Sequence, residues 1–235
     1  MNLLSKPISA LLFSLALHAP IAPAVEMGIG GILPGGGLIR KNVLSIKEQR
    51  YVNLIRQNTD FSCGAASLAT LLKYAYQMDV GEEDVLRGLM AFSNPEVART
   101  QGFSMLNFKN YLASLGLRGR GYEASPDMLD KIKVPTIVLL NIKGYRHFVV
   151  LRRSTAEHMY LGDPALGNRV MPRDEFFKAW QDSGIIFAVL GNGYNRDNIL
   201  LHPKPPLTAR QHIDTFRPVR DAELLDFGFI HKELF

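Results

Sequence analysis

The sequence predicts an α+β fold, a helical N-terminal half packed on an antiparallel C-terminal sheet. Two observations carry that expectation. Between positions 63 and 115, apolar residues recur at three- and four-residue intervals, the period of helices with one buried face. Beyond position 134 the chain turns to short β-branched and aromatic runs, VPTIVLLNIKG, YRHFVVLRR and HMYLGD, separated by turn residues.

The elements follow in order. Residues 1–24 read as a signal peptide: Lys6 charges the n-region, a short apolar core follows, and Ala22-Pro23-Ala24 supplies a small-x-small cleavage pattern. The apolar run is shorter than the ~20 residues a membrane span needs, and later apolar runs are broken by charge. The mature chain is therefore expected to be exported and to have no stable membrane span. Residues 25–44 read as a glycine-rich flexible lead-in, since GIGGILPGGG is too rich in glycine to favour regular structure. No Gly-Lys-Ser/Thr follows it, so it is not a phosphate-binding loop.

A folded domain is expected over 45–191. It begins with a short strand near Tyr51–Gln57, then a helix opening at Cys63, where Leu68, Leu72 and Ala75 mark the buried face. Helices are predicted at Glu82–Phe92, at Met105–Leu115 with Ser104 as N-cap, and briefly after Ser125-Pro126. Three strands follow, the first two joined by a turn at Lys143-Gly144. Pro172–Asp182 reads as a helix and Ile185–Leu190 as a last apolar strand. Residues 192–235 are polar, contain several prolines, and read as a C-terminal extension or wrapping arm.

Composition narrows the chemistry. With 47% hydrophobic and 21% charged residues, the 235-residue chain can bury a full core without metal or disulfide staples. Its 27 Lys+Arg against 22 Asp+Glu give +5, spread along the chain rather than clustered, which argues against a nucleic-acid partner. One cysteine, Cys63, excludes internal disulfides and zinc ribbons. A lone thiol in an exported chain is either buried and inert or kept for its reactivity.

Cys63 at a helix start faces unpaired backbone N–H groups and the positive end of the dipole, both of which favour a thiolate. Gly64 beside it would let a substrate backbone come close. The alternative is a small buried hydrophobe. A thiol nucleophile needs a base, and His147 is the candidate: it shares one strand face with Val149 and Leu151, flanked by Arg146 and Arg152. It could equally be a core histidine. His202, His212 and His231 fall in the polar tail, and His158 matches no metal-ligand spacing. Asp163 ends the next strand and could orient His147, or could simply begin an Asp-Pro turn. Gln57, six residues before Cys63, could give an oxyanion its side-chain N–H beside the Cys63 backbone N–H.

Taken together, Gln57-Asn-Thr-Asp-Phe-Ser-Cys63-Gly-Ala-Ala-Ser-Leu-Ala-Thr-Leu-Leu72, Tyr145-Arg-His147-Phe-Val-Val and Gly162-Asp163-Pro164 resemble the C39 family of papain-like cysteine peptidases. The resemblance covers about residues 45–191. It implies a papain-like fold, Cys63 as nucleophile, His147 as base, Asp163 as orienter and Gln57 as oxyanion donor, with no cofactor and no metal. Ser62 and Ser67 stand where many leader-cleaving members have Asp and a second Cys, so double-glycine specificity is not implied. The stand-alone, signal-bearing layout resembles the C39-like peptidases of bacterial functional-amyloid (Fap) secretion systems. That implies a periplasmic enzyme acting on an exported protein or its leader, with secretion-system components as partners. A transglutaminase-like acyltransferase, or a non-catalytic module binding a secretion partner, would use the same fold.

Overall fold

A computed structural model of the chain describes residues 26–29, 39–42, 44–180 and 184–203. The chain divides at Ser45/Ile46 into two units. In the first, β1 (Glu26–Ile29) pairs antiparallel with β2 (Ile39–Asn42), from Glu26–Asn42 to Ile29–Ile39. This corrects the expectation of a structureless lead-in: the glycine-rich run is flanked by residues that can pair, and Met27, Ile29 and Ile39 belong to types that suit strands better than glycine does. The expected signal peptide lies outside the described residues.

The second unit opens with α1 (Ile46–Arg50), where the sequence offered no periodic signal. The strand expected near Tyr51–Gln57 does not form; a turn at Tyr51–Asn53, with Asn53 at φ 55°, leads into chain without regular secondary structure instead. Four helices follow: α2 (Cys63–Ala75), α3 (Glu82–Met90), α4 (Pro95–Gln101) and α5 (Met105–Ser114). Ser104 caps α5 as expected, its Oγ accepting from the Asn107 N–H. The strand β3 (Arg118–Glu123) was not anticipated. After the short α6 (Pro126–Leu129) come β4 (Thr136–Ile142), β5 (Tyr145–Ser154), β6 (His158–Asp163), β7 (Gly167–Pro172), α7 (Arg173–Trp180) and β8 (Ile185–Leu190). Lys143 and Gly144 both take positive φ, 54° and 86°, which suits the β4–β5 hairpin.

The helical half and the antiparallel sheet are as the sequence predicts. The sheet has six strands in the order β3-β8-β4-β5-β6-β7, and its described pairs are antiparallel. Each face is covered. Ile137, Phe148, Val150 and Phe187 pack against Leu68, Leu72, Leu89 and Phe108 of α2, α3 and α5. Val138, Val149, Leu151 and Ile186 pack against Leu129, Phe176 and Trp180 of α6 and α7. This two-sided burial explains why residues 147–152 are all buried and why the run YRHFVVLRR lacks a polar face.

One register shift matters. Leu151 faces Leu161 and Arg153 faces Tyr160, so Arg152 is the extra residue of a bulge. Instead of flanking the His147 face, as its place in an alternating strand suggested, Arg152 turns inward and is 5% exposed. Its guanidinium donates to the carbonyls of Leu200 (3.0 Å) and Ile199 (3.2 Å) and to Asn168 Oδ1 (2.6 Å). Leu200 is fully buried, and the Asn195 N–H donates to the Ala75 carbonyl at the end of α2. The expected domain end at 191 therefore falls inside the packed unit, because the next residues supply apolar and carbonyl groups that the core uses.

Candidate active site

The loop 57–62 delivers Cys63 to the first turn of α2, and it is braced from three sides. The Gln57 N–H donates to the Pro164 carbonyl (3.0 Å), tying the loop to the β6–β7 connection. The Asn58 backbone and side-chain amides donate to the buried Glu82 carboxylate at 2.8 and 2.5 Å. The Tyr145 hydroxyl donates to the Asp60 carbonyl at 2.8 Å. Ser62 closes the turn by hydrogen bonds with Thr59 in both directions. A helix's first N–H groups have no partner within the helix, so the Cys63 N–H is left for other acceptors.

Gly64 serves packing rather than substrate access. A Cβ there would lie 2.7 Å from the Phe108 ring and 3.2 Å from Phe148, so its absence lets α2 approach α5 and β5. This corrects the sequence reading of Gly64.

His147 and Asp163 meet where two strands part. The β5–β6 ladder begins at Val150–Gly162; His147 lies before that pair on β5 and Asp163 after it on β6. His147 Nε2 donates to Asp163 Oδ1 at 2.8 Å, with the residues 4% and 0% exposed. Oδ1 also accepts from the N–H groups of Ala165 (2.9 Å) and Leu166 (3.1 Å). The two sequence readings of Asp163, turn former and histidine partner, thus hold together at one oxygen. Asp163 Oδ2 lies 3.6 Å from Arg169 Nη1 and makes no hydrogen bond among the described residues.

The electrostatics follow from the pairing. Burial is the largest influence on His147 and lowers its pKa. Hydrogen bonding and charge from Asp163 and Cys63 together outweigh it, lifting the imidazole to about 9. Burial raises the Asp163 pKa, and the hydrogen bond and charge of His147, with the two backbone N–H groups, more than reverse that. His147 Nδ1 is buried without a hydrogen bond of full geometry, yet the Cys63 side chain is close enough to act on the ring. Such contacts are often loose without substrate. Cys63, His147 and Asp163 are thus brought together, in that order.

Gln57 is half-buried beside this group. Its Nε2 donates to the Thr59 carbonyl at 3.0 Å, leaving one amide hydrogen, and its Oε1 is buried without a partner. His158 is partly exposed near Glu157, and His202 is exposed, 2.8 Å from Asp197. His212 and His231 lie outside the described residues. Among the described residues no cluster of His, Cys, Asp or Glu could hold a metal ion.

Tyr145 was missed by sequence reasoning. Its ring centroid lies 6.0 Å from that of His147 at 31°, while its hydroxyl holds the loop before Cys63. The available signal was position: two residues before His147 on one strand, it shares that residue's face. A cleft of about 830 Å³ opens beside Cys63, between Tyr145 and Arg146 on one side and α4 with the loop to Met105 on the other.

The chain is similar to known proteins. The description of the Peptidase C39 family matches residues 51–189. The chain belongs to the Peptidase C39 family. Its relatives include the "Probable functional amyloid protease FapD" of Pseudomonas aeruginosa, 54% identical over 86% of this chain and 89% of the relative. The protein of the same name from Pseudomonas fluorescens is 51% identical over 96% and 99%. The peptidase domain of Streptococcus ComA, a bi-functional ABC transporter involved in a quorum-sensing pathway, is 24% identical. It superposes with TM-score 0.51 over 59% of this chain and 98% of that domain, which shows the shared fold. This C39 protein is a cysteine peptidase, as the sequence reading expected.

Proposed function

We propose that this C39 peptidase works in the periplasm, cleaving an exported protein or its leader in the service of functional-amyloid secretion. Cys63 is its nucleophile, His147 its base and Asp163 the group that orients His147. The observation carrying this reading is the buried His147, bonded through Nε2 to Asp163 and facing the chain's sole cysteine. The names of its Pseudomonas relatives support the amyloid connection. Periplasmic location rests on the signal-like residues 1–24; among the described residues no helix is long and apolar enough to cross a membrane.

In the proposed mechanism the His147 proton is already in place. Cys63 Sγ attacks the scissile carbonyl as a thiolate, and His147, protonated up to about pH 9, delivers its Nδ1 proton to the departing amine. Nε2 keeps its hydrogen bond to Asp163, which stabilises the imidazolium and fixes the ring. The oxyanion draws on the Cys63 N–H and on the second amide hydrogen of Gln57. Water then opens the thioester while His147 takes its proton.

The test is a strain carrying Cys63→Ala. The reading expects one exported polypeptide to accumulate uncut, and the purified wild-type protein to cut it at one site, read by mass spectrometry. Equal processing in both strains would overturn it.

A further inference from the structure

The catalytic cleft does not end at α5. Beyond Met105 a second groove of about 490 Å³ runs between α5 and β3, floored by Phe187, Gly119 and Gly121. The two are neighbours: a Cβ on Gly121 would lie 3.5 Å from Ile185 Cγ2 and 4.0 Å from Met105 Sδ, and both of those residues line the cleft beside Cys63. At Gly119 a Cβ would strike the Phe187 ring at 2.4 Å, so core packing already fills that position, whereas a Cβ at Gly121 would make only ordinary contacts and a larger side chain there would enter the groove.

β3 is the terminal strand of the sheet, bonded to β8 on one side, and its other edge is unpaired among the described residues. Its second face carries Arg118, Arg120 and Tyr122, all exposed, and neither arginine has an ion-pair partner among the described residues. An unpaired edge is normally a hazard, and here it adjoins a peptidase cleft.

We propose that this edge is an exosite where the polypeptide substrate adds a β-strand to β3, one side apolar and the other acidic. The period of a strand sets the pattern. Every second residue of the added strand falls over Gly119, Gly121 and the exposed Leu106, where small or medium apolar side chains rest on the groove floor of Phe187 and the two glycines. The intervening residues meet Arg118 and Arg120, where carboxylates suit. Backbone hydrogen bonds to β3 supply sequence-tolerant affinity. Continuity through Met105 would lead such a strand toward Cys63. The choice of occupant rests on the peptidase reading; the binding itself does not.

The test uses the full chain with Cys63→Ala and fluorescein-labelled peptides followed by polarisation. (Glu-Val)4 should bind, while (Lys-Val)4 should not. (Glu-Pro)4, with the same charge but half its N–H groups gone, should not bind either. Arg118→Glu with Arg120→Glu should weaken (Glu-Val)4 by about tenfold, the scale of two reversed cross-strand charge pairs. Gly121→Val, a β-branched residue at a strand position of ordinary φ, should block the groove while the melting temperature holds. No binding of (Glu-Val)4, equal binding of (Glu-Pro)4, or indifference to either variant would each overturn the exosite. Iodoacetamide alkylation of Cys63, on the same variants with the thiol restored, reads the catalytic proposal separately and should not change.

Discussion

The strand β5 buries two cationic side chains in opposite ways. His147 sits where β5 and β6 separate, against a carboxylate, and its pKa is lifted to about 9. Arg152 sits at the bulge of the same strand and is bonded to two carbonyls and an amide oxygen. Burial is the main influence on it, and its pKa falls to about 10. The paired residue can exchange a proton and still be stabilised in either state. The other keeps its charge at neutral pH, so it serves as a brace for the C-terminal segment. A buried charge with an ionic partner is suited to chemistry, and one with neutral acceptors to architecture.

His147→Ala should break the chemical side of this comparison most severely. We expect turnover on the natural substrate to fall by about 10⁴, with up to about 3 kcal/mol of stability lost at neutral pH, since the buried Asp163 carboxylate is left without its cationic partner. Loss of the fold would move His147 to the architectural side. Arg152→Met should do the reverse. It leaves three acceptors without donors, the buried Leu200 carbonyl among them, and should cost about 2 kcal/mol of stability in a urea titration. Turnover per folded molecule should survive.

The pH dependence sharpens the contrast. The folded pKa of His147 is raised, so its contribution to stability is complete below the unfolded value of 6.5 and is lost as pH rises to about 9. The linked change is about 3 kcal/mol at most. Urea titrations at pH 6 and 9.5 should show it in wild type, and His147→Ala should abolish it. Asp163 works at the other end: its lowered pKa gives stability that is present above its unfolded value of 3.8 and lost as pH falls further. The smallest effect belongs to Asp163→Asn. The amide oxygen can still accept from Ala165 and Leu166, but it no longer stabilises the imidazolium, so turnover should drop by about tenfold to a hundredfold. Because Asp163 is fully buried, the melting temperature is the control that separates this loss from unfolding.

What the sequence made legible follows burial. The helix at Cys63, the capped helix at Met105 and the strands β4, β5, β6 and β8 bury enough apolar surface to write a period into the chain. The two edge strands did not show. Arg118–Glu123 has one buried residue in six, and Gly167–Pro172 has two, so neither carries an alternation. The same holds for α4, which buries Ala98 alone. At the site, order along the chain was enough to single out Cys63, His147 and Asp163. Tyr145 and Glu82 were hidden because their partners, the Asp60 carbonyl and Asn58, are joined to them only by folding. Arg152 was misread because a bulge is a fact of register, which one strand's sequence does not contain.

The Arg152 brace also sets how this enzyme can be cut down. The match to the family stops at residue 189, but the carbonyls that satisfy Arg152 belong to Ile199 and Leu200. A protein trimmed to the family boundary would carry a buried guanidinium with two of its three acceptors removed and an open socket where Leu200 sat. Such a fragment would be a poor starting point for purification, domain transplantation or inhibitor screening. The shortest version worth expressing runs past His202.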